Sequence, residues 1–328
     1  LERKDIHFPK SIKWDKEMKE GRISAGNGEE IYYSLKNKNY SKLFSIFLKI
    51  KKQAIKKNLN KILISNENIF KVLKNDQYHI LIEVCDRLSL NIKPMLLVLR
   101  DPIYQALSLY KHRAKLGGVG SLEEWIKSEY NLPNYLGSFI ECVQENQITL
   151  YVRKYNKSSL KLIELFFKDW LGLTNCLNWK NKKVNPSLTL SELELIRILN
   201  RRKPSLIPFF YEHLLRLPYS SKSNDEVLQK QYLNFLNYYL NKDIHLWEML
   251  NDYISNGDKI KIPSGDGISH IRKTNLTFSI AQIEAQNNFW LKPWNPSFYF
   301  MFTWKTHIKP ILTKLKLQYI YFILKKYL

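Results

Sequence analysis

The 328 residues are enough to bury a full core, and 45% hydrophobic with 13% aromatic content excludes a disordered polymer. Fifty-two Lys plus Arg against thirty Asp plus Glu give a formal charge of +22, which favours polyanionic partners: nucleic acid, anionic lipid, acidic glycan or a nucleotide. No apolar run approaches the roughly 20 residues that cross a bilayer, and no signal peptide opens the chain.

Lys, Asn and Ile are all abundant, so a genomic bias in composition stands beside any functional reading of the charge. Cys85, Cys142 and Cys176 are widely spaced and lack the paired spacing of a zinc site, so no metal is expected and the thiols read as reduced. The sequence opens with Leu rather than Met, as a fragment would.

The first forty residues are polar, with turn signals at Gly21 and Gly26–Gly28. Tyr40–Asn58 sets Leu43, Ile46, Phe47 and Ile50 at helical spacing and predicts a basic amphipathic helix. Lys61–Ser65 (KILIS) reads as a short buried strand, Val72–Leu88 as a helix and Met95–Leu99 (MLLVL) as a second buried strand. Helices are expected over Ile103–Leu116, Leu122–Ser128 and Tyr135–Glu145, then a strand over Ile148–Val152 and a helix over Ser158–Leu171. Such alternation predicts an α/β fold with a small parallel sheet wrapped by helices.

Asn185–Asn200 and roughly 224–256 add covering helices, completing a core over 1–256. From 257 to 328 an appendage is expected. It comprises a loop (SGDGISHIRKTN), the aromatic stretch Phe289–Trp304 and a basic amphipathic helix, His307–Leu328, either docked on the core or lying on a membrane surface. Trp290, Trp294, Tyr299 and Trp304 either pack this appendage or offer a platform for sugars.

The chemistry concentrates in Leu96–Tyr110 (LLVLRDPIYQALSLY). The strand ends at Leu99, Asp101 is a favoured N-cap, and Pro102 suits the first helical position, so strand passes to helix almost without a loop. Ligands bind outside the carboxyl ends of parallel strands. Arg100 at that end can grip a phosphate with two parallel hydrogen bonds, or pair with a structural carboxylate. In the helix Ile103, Leu107, Tyr110 and Ala114 share an apolar face, opposite Tyr104, Ser108, Lys111 and Lys115.

Arg100 and Ser108 have the spacing with which sulfotransferases hold the 3′-phosphate of their donor, and the segment resembles that family's phosphate-binding strand and helix. Ile62–Phe70 (ILISNENIF), Ser121–Ile126 (SLEEWI), Ile148–Tyr155 (ITLYVRKY) and Asn185–Leu188 (NPSL) with Ser191 extend the resemblance, toward the bacterial carbohydrate-type branch. The resemblance implies a P-loop-like three-layer sandwich with a helix-rich C-terminal part, and 3′-phosphoadenosine-5′-phosphosulfate as co-substrate. It implies a carbohydrate or glycolipid hydroxyl as acceptor, and a place in the cytoplasm, peripheral at the membrane. The family's first strand and its Lys-Gly-Thr loop around the 5′-phosphosulfate have no counterpart here; LERKDIHFPKS resembles the family's next segment, beyond that loop and its helix. Without that lysine, a loss on the order of 10²–10³ in rate is expected.

Glu67, just beyond Lys61–Ser65, is the candidate base for the acceptor hydroxyl, or else a helix-start carboxylate favoured by the dipole. His79 and His112 are lesser alternatives. Lys111 and Lys115, with Arg113, recruit an acidic acceptor or simply face water. The competing reading is a non-enzymatic basic module that binds nucleic acid or an anionic surface, although no helix-turn-helix or zinc-finger pattern occurs.

Overall fold

The computed structural model describes residues 5–9, 26–92, 94–115, 119–155, 188–202, 207–217, 225–254, 259–272 and 276–291, with 166, 168, 170–172 and 222 besides. Within them the fold is mixed α/β and mostly helical. Strand β1 (Ile6–His7) pairs parallel with β2 (Lys61–Ile62), and β3 (Met95–Leu99) pairs parallel with β4 (Leu150–Lys154), giving two two-stranded sheets. Parallel strands need long crossovers, and helices supply them. Helices α1 (Glu29–Lys36) and α2 (Tyr40–Lys56) fall between β1 and β2, and α3 (Asn75–Arg87) between β2 and β3. Helices α4 (Pro102–Ala114), α5 (Leu122–Ser128) and α6 (Leu132–Glu145) fall between β3 and β4. After β4 come α7 (Leu190–Arg202), α8 (Ile207–Leu215), α9 (Glu226–Leu240), α10 (Ile244–Asp252) and α11 (Ile280–Leu291).

The residues cluster into two compact units. The first comprises Leu1–Pro102, Asn131–Val184 and Leu240–Gly265 and holds both sheets; the second comprises Ile103–Tyr130, Asn185–Tyr239 and Asp266–Leu328. In the first, α2 buries Leu43, Phe47, Ile50 and Ala54, a 3.6-residue stripe, while packing on α1 and α3. Its N-cap Asn39 accepts the Lys42 N–H at 2.9 Å. In the second, Tyr110, Trp125, Phe210 and Phe235 are buried, and Ser121 and Glu124 close a capping box at the start of α5. The stretch from 257, expected as an appendage, divides between the units at Gly265 and Asp266.

Several expected bounds shift for identifiable reasons. The strand expected over Lys61–Ser65 stops at Ile62, because Leu63 O and Ser65 N bond instead to the Asn27 amide. The helix expected from Val72 begins at Asn75, after a 3₁₀ turn over Ile69–Lys71, and the helix expected over 224–256 is interrupted by a second such turn, Asn241–Asp243. Helix α1, in a stretch expected to be polar and turn-rich, buries Ile31 and Leu35. Apart from isolated positions, the expected helix 158–171 lies outside the described residues, as do Gly21, Cys176, 185–187, Trp294, Tyr299, Trp304 and the expected helix 307–328. No helix among the described residues is long and apolar enough to cross a membrane.

Four helices of the first unit end alike. Lys38, Asn58, Ser89 and Gln147 adopt φ of +48°, +57°, +49° and +51°. The next N–H then reaches back five residues: Asn39 to Ser34 O, Leu59 to Ala54 O, Leu90 to Cys85 O and Ile148 to Val143 O, at 2.8–3.0 Å. These are Schellman closures built without glycine. An L-residue in this conformation costs about 1–2 kcal/mol, and glycine's extra unfolded-state freedom offsets part of the relief. Ser89→Gly is therefore expected to stabilise the chain by up to about 1 kcal/mol. A raised urea midpoint checks this, and a lowered one refutes the account.

Candidate functional site

The first unit places its chemistry at the carboxyl ends of its parallel strands. The β3–β4 register sets Leu99 against Lys154, and the Tyr155 N–H extends the ladder to Leu99 O at 2.6 Å. Arg100, half-buried, therefore lies beside Tyr155, and its guanidinium sits 4.3 Å from that ring's centroid. The contact is a cation–π one, and it holds the Arg100 guanidinium beside the end of β4.

Asp101 stabilises this end. Its Oδ1 accepts the Lys261 N–H at 2.6 Å and the Lys154 ammonium at 3.0 Å, and Lys154 also donates to Lys259 O at 3.1 Å. Ile260 is held on both backbone groups by the buried amide of Asn251, at 2.9 and 3.0 Å. The segment 259–261 is thus tied to the end of β3–β4.

At the end of β2, Gly28 N donates to Ser65 O at 3.0 Å. Gly26 at φ +94° packs where a Cβ would meet Ser65 O at 2.1 Å, so only glycine fits there. His7 is 3% exposed, and neither ring nitrogen has a hydrogen-bond partner among the described residues. Glu67 lies just beyond, exposed in the turn before Ile69–Lys71 rather than in the first turn of α3.

Arg100 and Glu67 both follow strand ends of the first unit, on different pairs. Ser108, Lys111 and Lys115 belong to the second unit, in or just past α4, each half-buried. There Ile103, Leu107, Tyr110 and Ala114 are buried, as their spacing implies. His112 on α4 and His79 on α3 are exposed. Cys85 and Cys142 are buried free thiols, and burial pushes Cys85 up to about 11, so it stays protonated and non-nucleophilic near neutral pH. No group of three or more His, Cys, Asp or Glu that could hold a metal occurs among the described residues.

Tyr155, Asn251 and Lys261 are site components that the spacing of residues does not disclose. Asn251 and Lys261 lie about 150 and 160 positions from Arg100, too far for any periodic signal. The second unit holds two further buried networks, one centred on Glu194 and one on Glu192. No protein-family model matches this sequence, and no curated protein or solved structure matches it either.

Proposed function

We propose that the chain is a sulfotransferase of the carbohydrate type, moving the sulfuryl group of 3′-phosphoadenosine-5′-phosphosulfate to a hydroxyl of a carbohydrate or glycolipid. The observation that carries the reading is Arg100. It follows a parallel strand directly, lies over the Tyr155 ring, and is separated from helix α4 by Asp101 alone. The two parallel strand pairs are compatible with a P-loop-like three-layer sandwich, which the proposal requires. Such an enzyme works in the cytoplasm, peripheral at the membrane when its acceptor is a glycolipid.

In the reaction the acceptor oxygen attacks sulfur in line, and the bond from sulfur to the bridging oxygen breaks. Adenosine 3′,5′-bisphosphate leaves with that bond's electron pair, and the hydroxyl proton passes to a base, for which Glu67 is the candidate. Arg100 and Ser108 act on the other end of the donor, through its 3′-phosphate. Lys111 and Lys115 would meet an acidic acceptor.

Binding is the informative assay, because the sequence carries no Lys-Gly-Thr loop for the 5′ side. Adenosine 3′,5′-bisphosphate is expected to bind wild type, with Arg100→Ala weakening it about ten- to a hundredfold, the effect of losing a hydrogen bond to a charged group. Ser108→Ala is expected to weaken it less. Titration calorimetry on variants with unchanged thermal unfolding decides the matter: equal affinity of wild type and the double variant would remove the basis for the assignment.

A further inference from the structure

Helix α2 carries Lys42, Lys49, Lys51, Lys52 and Lys56 and no acidic residue at all. Lys51 turns inward and donates to Leu88 O, at the end of α3. The other four are exposed. At 100° per residue, Lys42, Ser45, Lys49, Lys52, Gln53 and Lys56 fall within about 100° of arc, opposite the buried stripe of Leu43, Phe47, Ile50 and Ala54. Along one margin run Leu48 and Ile55, the latter 62% exposed. Ser45, Leu48, Lys49, Lys52, Gln53 and Lys56 line a shallow concavity of about 430 Å³.

A solvated helix face ordinarily mixes signs, with Glu four residues from Lys giving local pairs. This face has none, and among the described residues no carboxylate pairs with Lys42, Lys49, Lys52 or Lys56. The ion pairs that do form lie elsewhere, as Lys38 with Asp76 shows. Four like charges held on a rigid helix repel one another until an anionic surface meets them.

We propose that this face of α2 docks on an anionic lipid surface. Three features favour lipid over nucleic acid. The cations are all lysines, strongly hydrated point charges on flexible stems, which suit diffuse headgroups better than the fixed geometry that arginine reads. No aromatic ring lies on the face to stack a base. Leu48 and Ile55 sit where apolar side chains would enter the headgroup boundary while the lysines stay in water. Docking through α2 is independent of nucleotide binding at Arg100, since it uses a different part of the first unit.

The test is co-sedimentation of the full chain with phosphatidylcholine vesicles, with and without phosphatidylserine. Wild type is expected to bind only the serine-containing vesicles, and less as salt rises. Lys42, Lys49, Lys52 and Lys56 all changed to Gln should weaken binding about 600-fold, from roughly fivefold per lysine at an anionic surface. Lys36, Lys74, Lys127 and Lys230, exposed elsewhere, changed together to Gln remove the same charge and should weaken binding far less. Ile55→Ser should lower affinity without altering its salt dependence. If the α2 variant melts early, Lys49→Gln with Lys56→Gln supplies the same comparison at smaller amplitude. Equal losses in the α2 and control variants would overturn the proposal, as would binding that ignores phosphatidylserine. Duplex DNA binding tighter than the vesicles and through the same lysines would overturn it in favour of nucleic acid.

Discussion

Glu194→Ala is expected to destabilise the chain by about 3–5 kcal/mol, because it strands three groups in the interior of the second unit. Glu194 Oε1 accepts the hydroxyls of Tyr110 at 2.6 Å and Tyr232 at 2.7 Å, and Oε2 accepts Arg197 Nε at 2.7 Å. Tyr110 is fully buried and Tyr232 is 4% exposed. Without the carboxylate both hydroxyls lose their acceptor, and Arg197, 15% exposed, loses its counter-charge.

The same cluster predicts an alkaline limb in stability. Burial, then the charge of Glu194, raises both tyrosines above their ordinary value. Groups whose folded-state value is raised contribute stability that is complete below about pH 10, the unfolded value, and is lost as pH rises through the folded value. Urea unfolding across pH 8 to 11 should show a decline above about pH 10 that flattens when Tyr110→Phe and Tyr232→Phe are combined. A Glu194→Ala loss below about 1 kcal/mol would contradict the network.

Glu192→Ala is expected to cost a similar amount, about 3–5 kcal/mol, through a different group. Glu192 is fully buried. Its Oε2 accepts Lys222 Nζ at 3.0 Å and Thr189 N at 2.8 Å, and its Oε1 accepts Gln282 Nε2 at 2.8 Å. Lys222 is itself only 2% exposed, so losing the carboxylate leaves an uncompensated ammonium in the interior. Removing both charges relieves the stranded ammonium, so Glu192→Leu with Lys222→Met should recover part of the loss, the Thr189 N–H and the Gln282 amide still lacking their acceptor. A double-mutant cycle in urea measures this. If Lys222→Met alone leaves stability unchanged, no such pair operates.

What sequence patterning discloses here is local. Met95–Leu99 is a strand bounded as its apolar run implies, and Leu122–Ser128 is a helix with the bounds expected of it. The apolar face of α4 is likewise the buried one. Helix ends are harder, because Lys38, Asn58, Ser89 and Gln147 close their helices in a conformation for which glycine is the usual marker. The 3₁₀ turn at Asn241–Asp243 interrupts an apolar pattern that runs on through it. Around Arg100, the strand end is legible, but its partners are set by tertiary packing. Tyr155 arrives through β-pairing, and Lys261 through a backbone hydrogen bond to Asp101. Glu192 and Glu194 alternate along α7 like ordinary solvent-facing carboxylates. Nothing local announces that Lys222, Tyr110 and Tyr232 will enclose them.

The two compact units are each threaded from three separated stretches of chain, and the polypeptide passes between them at Pro102, Tyr130, Val184, Tyr239 and Gly265. On the ribosome, then, neither can be finished before the other is well advanced. The first waits for Leu240–Gly265, which bring Asn251 and Lys261, and the second waits for residues beyond Asp266, which bring Gln282 to Glu192. Their maturation is interlocked in time, so a nascent chain halted near Tyr239 would carry a β3–β4 pair whose carboxyl end still lacks its clasp.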